Sequence, residues 1–361
     1  MKHPKDDEDH ILVGESWVRR SNLERLHEAW EKRRLVLCLG AGVSTPYGLP
    51  NWKELILGLL LRIKARDRNG REVTWNTDYP AYQRALGTWM MEHFGFDPLR
   101  LSRVFQKRPK LRDTLRTELY ASFAEPRRQD NKPTSLDGIV ELIVESNRAS
   151  RTLPAVITLN YDDLLEDSLR AAGIRCCAIY DGNQKIGGGL PIYHLHGYLP
   201  RKVSIPNQDI IFTEPAYHER SSATFHWSVK RIMRHLHSHS ILFVGVSMAD
   251  TNLRRFLDAC RLDDDRPHFS ILKNYEINDT EFKEEMTSVH KHAKEYAHKM
   301  GRDACNKPTV NELKKVMRDA CSTAHNCEWS ALATLGIHPV WVSNYDDVPR
   351  VLAKIRKGLQ N

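Results

Sequence analysis

Residues 35–52 read LVLCLGAGVSTPYGLPNW, and this stretch decides the fold. An unbroken apolar run ends in Gly40-Ala41-Gly42, and Ser44 and a Gly48-Leu49-Pro50 turn follow at once. A continuous apolar run this short marks a strand buried on both faces. Glycines at its carboxyl end let backbone approach whatever lies there. The amides of the turn, with the Ser44 hydroxyl, can donate to phosphate oxygens. Taken alone, the turn reads equally well as a tight connection.

Upstream, LERLHEAWEKRR carries apolar residues at helical spacing and leads into the strand. Downstream, Asn51 with Glu54 three residues on makes a capping box for the helix WKELILGLLLRIKAR. From about residue 67 to 147 the pattern is polar and helical with aromatic anchors at Tyr82, Trp89 and Phe94, which reads as a helical insertion. Strand-like runs then return: AVITLN, CCAIY, PIYHLHG, ILFVGVS, PHFSILK and HPVWVS, with helical stretches between them. Apolar strands alternating with helices predict an α/β fold, a Rossmann-like doubly wound parallel sheet with a helical insertion subdomain, its ligand beyond the carboxyl ends of the strands. The expected organisation is an N-terminal segment and helix over 1–33, a Rossmann domain built from 34–66 and 148–361, and helical insertions at 67–147 and 276–330.

The 361 residues are 41% hydrophobic and 28% charged, an ordinary globular composition. The mixed-charge start MKHPKDDEDH has no apolar core of a secretory signal, and LILGLLLRI is too short to span a bilayer, so a soluble cytoplasmic protein is expected. Seven cysteines without a CxxC pair argue against a disulfide framework. Cys321, His325 and Cys327 lack a fourth ligand at fitting spacing and read as thiols beside a helical histidine, so no metal is expected. The net charge of +8 permits nucleic-acid or polyphosphate partners without identifying either. Basic residues thicken over 98–116 and in EPRRQDNK at 125–132, and a solvated helix face accounts for them.

Three further elements can carry chemistry. In TLNYDD, Asn160 ends a strand and reads either as a helix N-cap or, with Asp162, as an amide and a carboxylate at the sheet edge. In YHLHG, His194 and His196 alternate on one strand, so periodicity puts both on one face and cannot choose between them as a general base. In FVGVSMADTNLRRF, a second strand ends in Gly245 and Ser247. Asp250 or Thr251 caps the next helix there, and Asp250 and Asn252 can alternatively hold ribose hydroxyls.

In this order, GAGVS…GLPNW, LNYD, HLHG and VGVSMADTNLR resemble the sirtuin family over about residues 35–343. The resemblance implies an NAD site and cleavage of the nicotinamide–ribose bond. Gly40, Ala41, Gly42 and Ser44 would hold the pyrophosphate. Asn160 would contact the nicotinamide ribose and position a nucleophile, and Asp162 would engage the carboxamide. His196, directly before Gly197, would be the general base, and Gly245 and Ser247 would line the adenosine side. Two departures stand out: the two CxxC pairs of the deacylase zinc module are missing, and Trp52-Lys53 replaces the sirtuin Phe-Arg. GLPNW and SMADTNLRRF are similar instead to prokaryotic sirtuin-like NADases of antiphage defence. The implied function is an NAD glycohydrolase, the toxic effector of a defence system, working as a homo-oligomer or beside a HerA-like ATPase or Argonaute-type partner. Two alternatives stay open: an NAD-dependent deacylase or ADP-ribosyltransferase, and a non-catalytic module binding NAD, ADP-ribose or nucleic acid.

Overall fold

The computed structural model describes residues 9–61, 65–66, 69, 72–73, 80–95, 97–107, 110–124, 132–150, 153–184, 187–206, 208–223, 225–260, 266–275, 279–299 and 309–359. The side chain of Tyr82 and the basic residues 125–131 lie outside them.

The chain opens with an antiparallel hairpin, β1 (His10–Val13) and β2 (Ser16–Arg19), followed by α1 (Arg20–Glu31) and strand β3 (Leu35–Leu39). Next come α2 (Trp52–Leu61), a short ribbon of β4 (Ala65–Arg66) and β5 (Glu72–Val73), and helices α3 (Pro80–Phe94), α4 (Pro98–Ser102), α5 (Leu111–Leu119) and α6 (Ser135–Arg148). The alternating part then runs β6 (Val156–Thr158), α7 (Leu164–Ala171), β7 (Cys176–Ile179), β8 (Leu190–His194), α8 (Glu214–Ser222), α9 (Trp227–Ser238), β9 (Ser240–Val244), α10 (Thr251–Ala259) and β10 (His268–Lys273). The long helices α11 (Asp279–Lys299) and α12 (Val310–Thr334) precede β11 (Ile337–Val342) and α13 (Val348–Lys357).

Among the described residues the main sheet has seven strands in the order β11-β10-β9-β3-β6-β8-β7, every pairing parallel. This is the doubly wound α/β fold, and the six strand-like runs downstream of β3 all lie in it. β3 sits at its centre with β6 on one side and β9, far along the chain, on the other. The strand order therefore switches beside β3, and the crevice of such a sheet opens at the carboxyl ends around that switch.

The period of the strand explains the two layers. Leu35, Leu37 and Leu39 face one apolar cluster with residues of α1, α6 and α13, among them Trp30, Ile139 and Val351. Val36 and Cys38 face a second with Ile232 of α9, Leu253 of α10 and Leu332 of α12. Both faces of β3 are closed to water, which is why its sequence is apolar throughout instead of alternating.

Local chemistry fixes the element ends. The box at α2 forms as the sequence predicts, the Asn51 N–H donating to Glu54 Oε2 at 2.9 Å and the Glu54 N–H to Asn51 Oδ1 at 3.1 Å. The hairpin, which the apolar pattern does not announce, is tied to the far end of the chain: Ser16 Oγ donates to the buried Asp347 Oδ2 at 2.7 Å and accepts from the Ser343 N–H at 2.8 Å. Among the described residues, no helix is long and apolar enough to cross a membrane. No group of three or more His, Cys, Asp or Glu side chains there can hold a metal ion. His325 packs its ring on Trp341, centroids 4.3 Å apart.

Candidate active site

The turn after β3 meets the turn after β9 backbone to backbone. The Gly40 N–H donates to the Val244 carbonyl and the Gly42 N–H to the Gly245 carbonyl, each at 3.0 Å. A Cβ on Gly40 would lie 2.5 Å from Gly245 O, and one on Gly42 would lie 2.8 Å from Gly245 Cα. Gly245 itself has φ +67°, and a Cβ there would stand 2.7 Å from the Val43 nitrogen. The space these glycines leave is filled by each other's main chain, which makes the two loops one rigid corner.

Asn160 leaves β6 at this corner, and it is not a helix cap. Its Nδ2 donates to the Gly40 carbonyl and to Ser44 Oγ, both at 3.0 Å, and the residue that precedes α7 is Asp163. A carbonyl can only accept, so the amide orientation is forced: the NH₂ faces Gly40 and Oδ1 faces away. No described residue donates to that Oδ1. Ser44 Oγ passes its own proton to Asp162 Oδ2 at 2.8 Å, and Asp162 Oδ1 accepts the Leu164 N–H at 3.2 Å. Burial pushes the Asp162 carboxyl up to about 6 against these two donors, which pull it down. Val43, Ser44, Asn160, Asp162, Glu166 and His194 line a narrow crevice here, with about 10 Å³ of free space.

The two histidines part company. β8 ends at His194, and a turn follows in which Gly197 takes φ +105°; a Cβ there would lie 2.7 Å from the Asp209 carbonyl. Alternation therefore stops at the strand end, and the expectation of one shared face fails. His194 turns into the Asn160 crevice, while Leu195 and His196 both line a second one with Ile211, Arg220, Asp250 and Asn252. The consecutive residues Leu159 and Asn160 line one each, and the apolar linings belong to opposite layers of the sheet, so the crevices lie on either side of the carboxyl end of β6.

His196 is 9% exposed, and its Nε2 lies 4.0 Å from Asp250 Oδ2. Burial lowers its pKa below the ordinary histidine value; Asp250 and a hydrogen bond to the Leu159 backbone oppose this, and Arg220 adds to it. The ring is therefore neutral near pH 7, able to accept a proton. Asp250 also caps α10, accepting the Leu253 N–H at 2.8 Å, so Thr251 is not the cap. Asn252 Nδ2 reaches the Tyr217 carbonyl at 3.5 Å, and Ser247 is exposed on the rim.

Sequence reasoning missed what covers this crevice. Tyr217 of α8 sets its ring edge-on to His196 at 5.4 Å and to Trp52 at 5.9 Å. Three residues on, Arg220 bonds Ser228 Oγ at 3.1 Å and stands 3.7 Å from Asp209 Oδ2. α8 has little amphipathic pattern, so nothing in its spacing points inward. Glu166 was passed over for the opposite reason: it lies on the apolar face of α7 among Leu164, Leu165 and Leu169, and a glutamate on such a face was the available signal.

Residues 154–297 match the family model of the SIR2-like domain. The matched segment holds Asn160, Asp162, His194, His196, Gly245, Ser247, Asp250 and Asn252; the corner residues Gly40–Ser44 reach it from β3, outside the match. The chain is 25% identical over 260 residues to the NAD(+) hydrolase ThsA of Acinetobacter baumannii (strain 532279), covering 70% of this chain. It spans 45% of that relative's length. Solved structures to which the chain is similar include a Sir2 enzyme at 15% identity and TM-score 0.33, covering 72% of this chain and 89% of its own. A Sir2 homologue mutant in complex with ADP-ribose stands at 16% identity and TM-score 0.33, covering 84% and 97%.

Proposed function

We propose that this protein is an NAD glycohydrolase that cleaves the nicotinamide–ribose bond to give nicotinamide and ADP-ribose. The observation that carries the reading is the Asn160 amide, locked by Gly40 and Ser44 so that Oδ1 has no donor among the described residues, with a neutral His196 across the carboxyl end of β6. The relative named an NAD(+) hydrolase supports the choice of substrate.

The chemistry needs little beyond these groups. Nicotinamide departs as a neutral molecule from a pyridinium, leaving an oxocarbenium-like ribose. Asn160 Oδ1 accepts from a ribose hydroxyl or from the attacking water and fixes it beside the anomeric carbon. His196 takes the proton of that water as the C–O bond forms, and Asp250 steadies the imidazolium until the proton passes to solvent. Water is thus split between ADP-ribose and a released proton, with no redox step. Asp162 takes the carboxamide. In the Gly40–Ser44 turn the N–H groups of Gly40, Gly42, Val43 and Ser44 are spent on main-chain carbonyls of the corner, so the expectation that this turn's amides cradle the pyrophosphate is cut back to the Ala41 N–H. The Gly245–Ser247 turn would line the adenosine side, and Asp250 and Asn252 would bind ribose hydroxyls.

The crevice beside His196 has about 20 Å³ of free space, room for about one water molecule and far too little for a dinucleotide. α8 must therefore shift, taking Tyr217 off His196, before NAD spans both crevices. This covered state is the resting form, and assembly or a partner opens it. A role as toxic effector in antiphage defence follows, with homo-oligomerisation and a HerA-like ATPase or Argonaute-type partner as the candidate triggers.

Incubation of the full chain with NAD, with and without the products of neighbouring genes, followed by mass spectrometry of the products, tests the reading. Nicotinamide and ADP-ribose are expected in equal amounts. O-acetyl-ADP-ribose with a deacetylated peptide would make it a deacylase, and saturable NAD binding without nicotinamide release a sensor module. Mass photometry of the same samples reads assembly, and phage challenge of cells carrying Asn160→Ala reads the defence role.

A further inference from the structure

Behind Asn160 lies a buried ionisable pair that the hydrolysis scheme does not use. His194 is 1% exposed and Glu166 3% exposed, and Nε2 of the ring lies 2.6 Å from Oε1 of the carboxyl group. The second carboxyl oxygen, Oε2, is buried and has no hydrogen-bond partner among the described residues. Tyr198 packs its ring 4.3 Å from the imidazole and is itself stacked on Tyr180. A buried pair with one oxygen bare adds little to stability compared with an apolar filling of the same space. Packing alone therefore leaves the pair unexplained.

Among the described residues the pair has one polar contact outward. His194 Nδ1 meets the main-chain carbonyl of Asn160 at 3.1 Å. That oxygen can only accept, so Nδ1 carries a proton and Nε2 faces Glu166. Asn160 is thus held at four points: its N–H on Thr158 Oγ1 at 3.0 Å, its two amide donations to Gly40 and Ser44, and its carbonyl on His194. Only the last fixes the peptide plane after Asn160, where β6 has ended and α7 has not begun. Glu166, from the first turn of α7, sets the ring angle that makes the bond possible.

We infer that Glu166 and His194 form a positioning couple that locks the Asn160 main chain, and through it the amide oxygen, against the ribose of the substrate. The inference rests on the glycohydrolase reading. Both are positioning residues, acting through Asn160.

Two substitutions separate the halves of the couple. In His194→Asn the amide nitrogen stands near the place of Nδ1 and keeps the bond to Asn160. In His194→Gln it stands near the place of Nε2 and keeps the contact with Glu166 while losing the carbonyl. Nicotinamide release by the full chain is measured for both, with Asn160→Ala as control. His194→Gln is expected to lower kcat about 10- to 100-fold with KM nearly unchanged, the scale of a misplaced catalytic group. His194→Asn is expected to lose less than His194→Gln, because it keeps the bond to Asn160 while giving up Glu166. Exchange of the Asn160 side-chain NH₂ protons, read by NMR on asparagine-labelled full chain and assigned by the loss of that signal in Asn160→Ala, is expected to quicken more in His194→Gln than in His194→Asn. Equal losses in the two variants, or none in either, would overturn the couple. If wild type releases no nicotinamide, or Asn160→Ala still does, the glycohydrolase reading fails; amide exchange that is the same in both variants then still overturns the couple, and a difference sustains it.

Discussion

The sharpest quantitative expectation concerns Asp162→Asn. Burial raises the Asp162 carboxyl from 3.8 to about 6 in the folded chain. A raised folded value means that the native state holds a proton which the unfolded chain has already released. The resulting stability is complete below about pH 4 and is lost as the pH climbs through about 6. At about 1.4 kcal/mol for each pH unit of separation, this one group lowers the unfolding free energy by about 3 kcal/mol between pH 4 and pH 7. Asparagine cannot ionise, so the loss vanishes in the variant. Urea unfolding of wild type and Asp162→Asn across that range checks it, because every other titrating group cancels in the difference. The variant should gain about 3 kcal/mol on wild type from the acid end to the neutral end, whatever its offset. A flat difference, or one that moves the other way, would mean that Ser44 and the Leu164 N–H outweigh burial and hold the carboxylate ionised.

Four more outcomes are expected. Asn160→Ala should lower kcat for nicotinamide release about 10²–10³-fold, the effect of one preorganised hydrogen-bonding group, with the circular dichroism of the fold retained. In wild type, kcat/KM should hold its plateau to a lower pH than an ordinary histidine allows, since the base is the unprotonated ring and burial lowers its pKa; a limb at or above the usual histidine range would contradict the His196 environment. Tyr217→Ala should lower KM for NAD and quicken association in stopped-flow measurements if α8 must move aside. Gly245→Ala should destabilise the chain by about 2 kcal/mol or more in urea, since φ +67° alone costs an alanine about 1–2 kcal/mol and the Val43 and Gly42 main chain stands in the way.

The parallel sheet was legible because it is written in continuous apolar runs. β3, β6 and β9 have both faces covered, so polar residues enter them only at their ends, Thr158 and Ser240. The hairpin His10–Arg19 was not, because its strands are four residues each and owe their place to Ser16 and Asp347, a contact spanning 331 positions. At the site, the corner residues were legible as glycines, but their reason was not: the sequence cannot show that Gly40, Gly42 and Gly245 exclude one another's side chains. His196 was chosen over His194 by resemblance alone, and periodicity misled because the strand stops one residue before Leu195. Tyr217 and Arg220 come from a helix with little amphipathic rhythm, and their importance arises only from where α8 lies.

The central place of β3 has a consequence for anyone dividing this gene. A fragment cut to residues 154–297 keeps β6, β8 and β7 as one ribbon and β9 with β10 as another, and removes the strand that joins them. Two raw, apolar edges are left facing each other across a missing strand, the kind of surface that recruits other chains into aggregates. The smallest piece to clone therefore starts upstream of the segment by which its kinship is recognised.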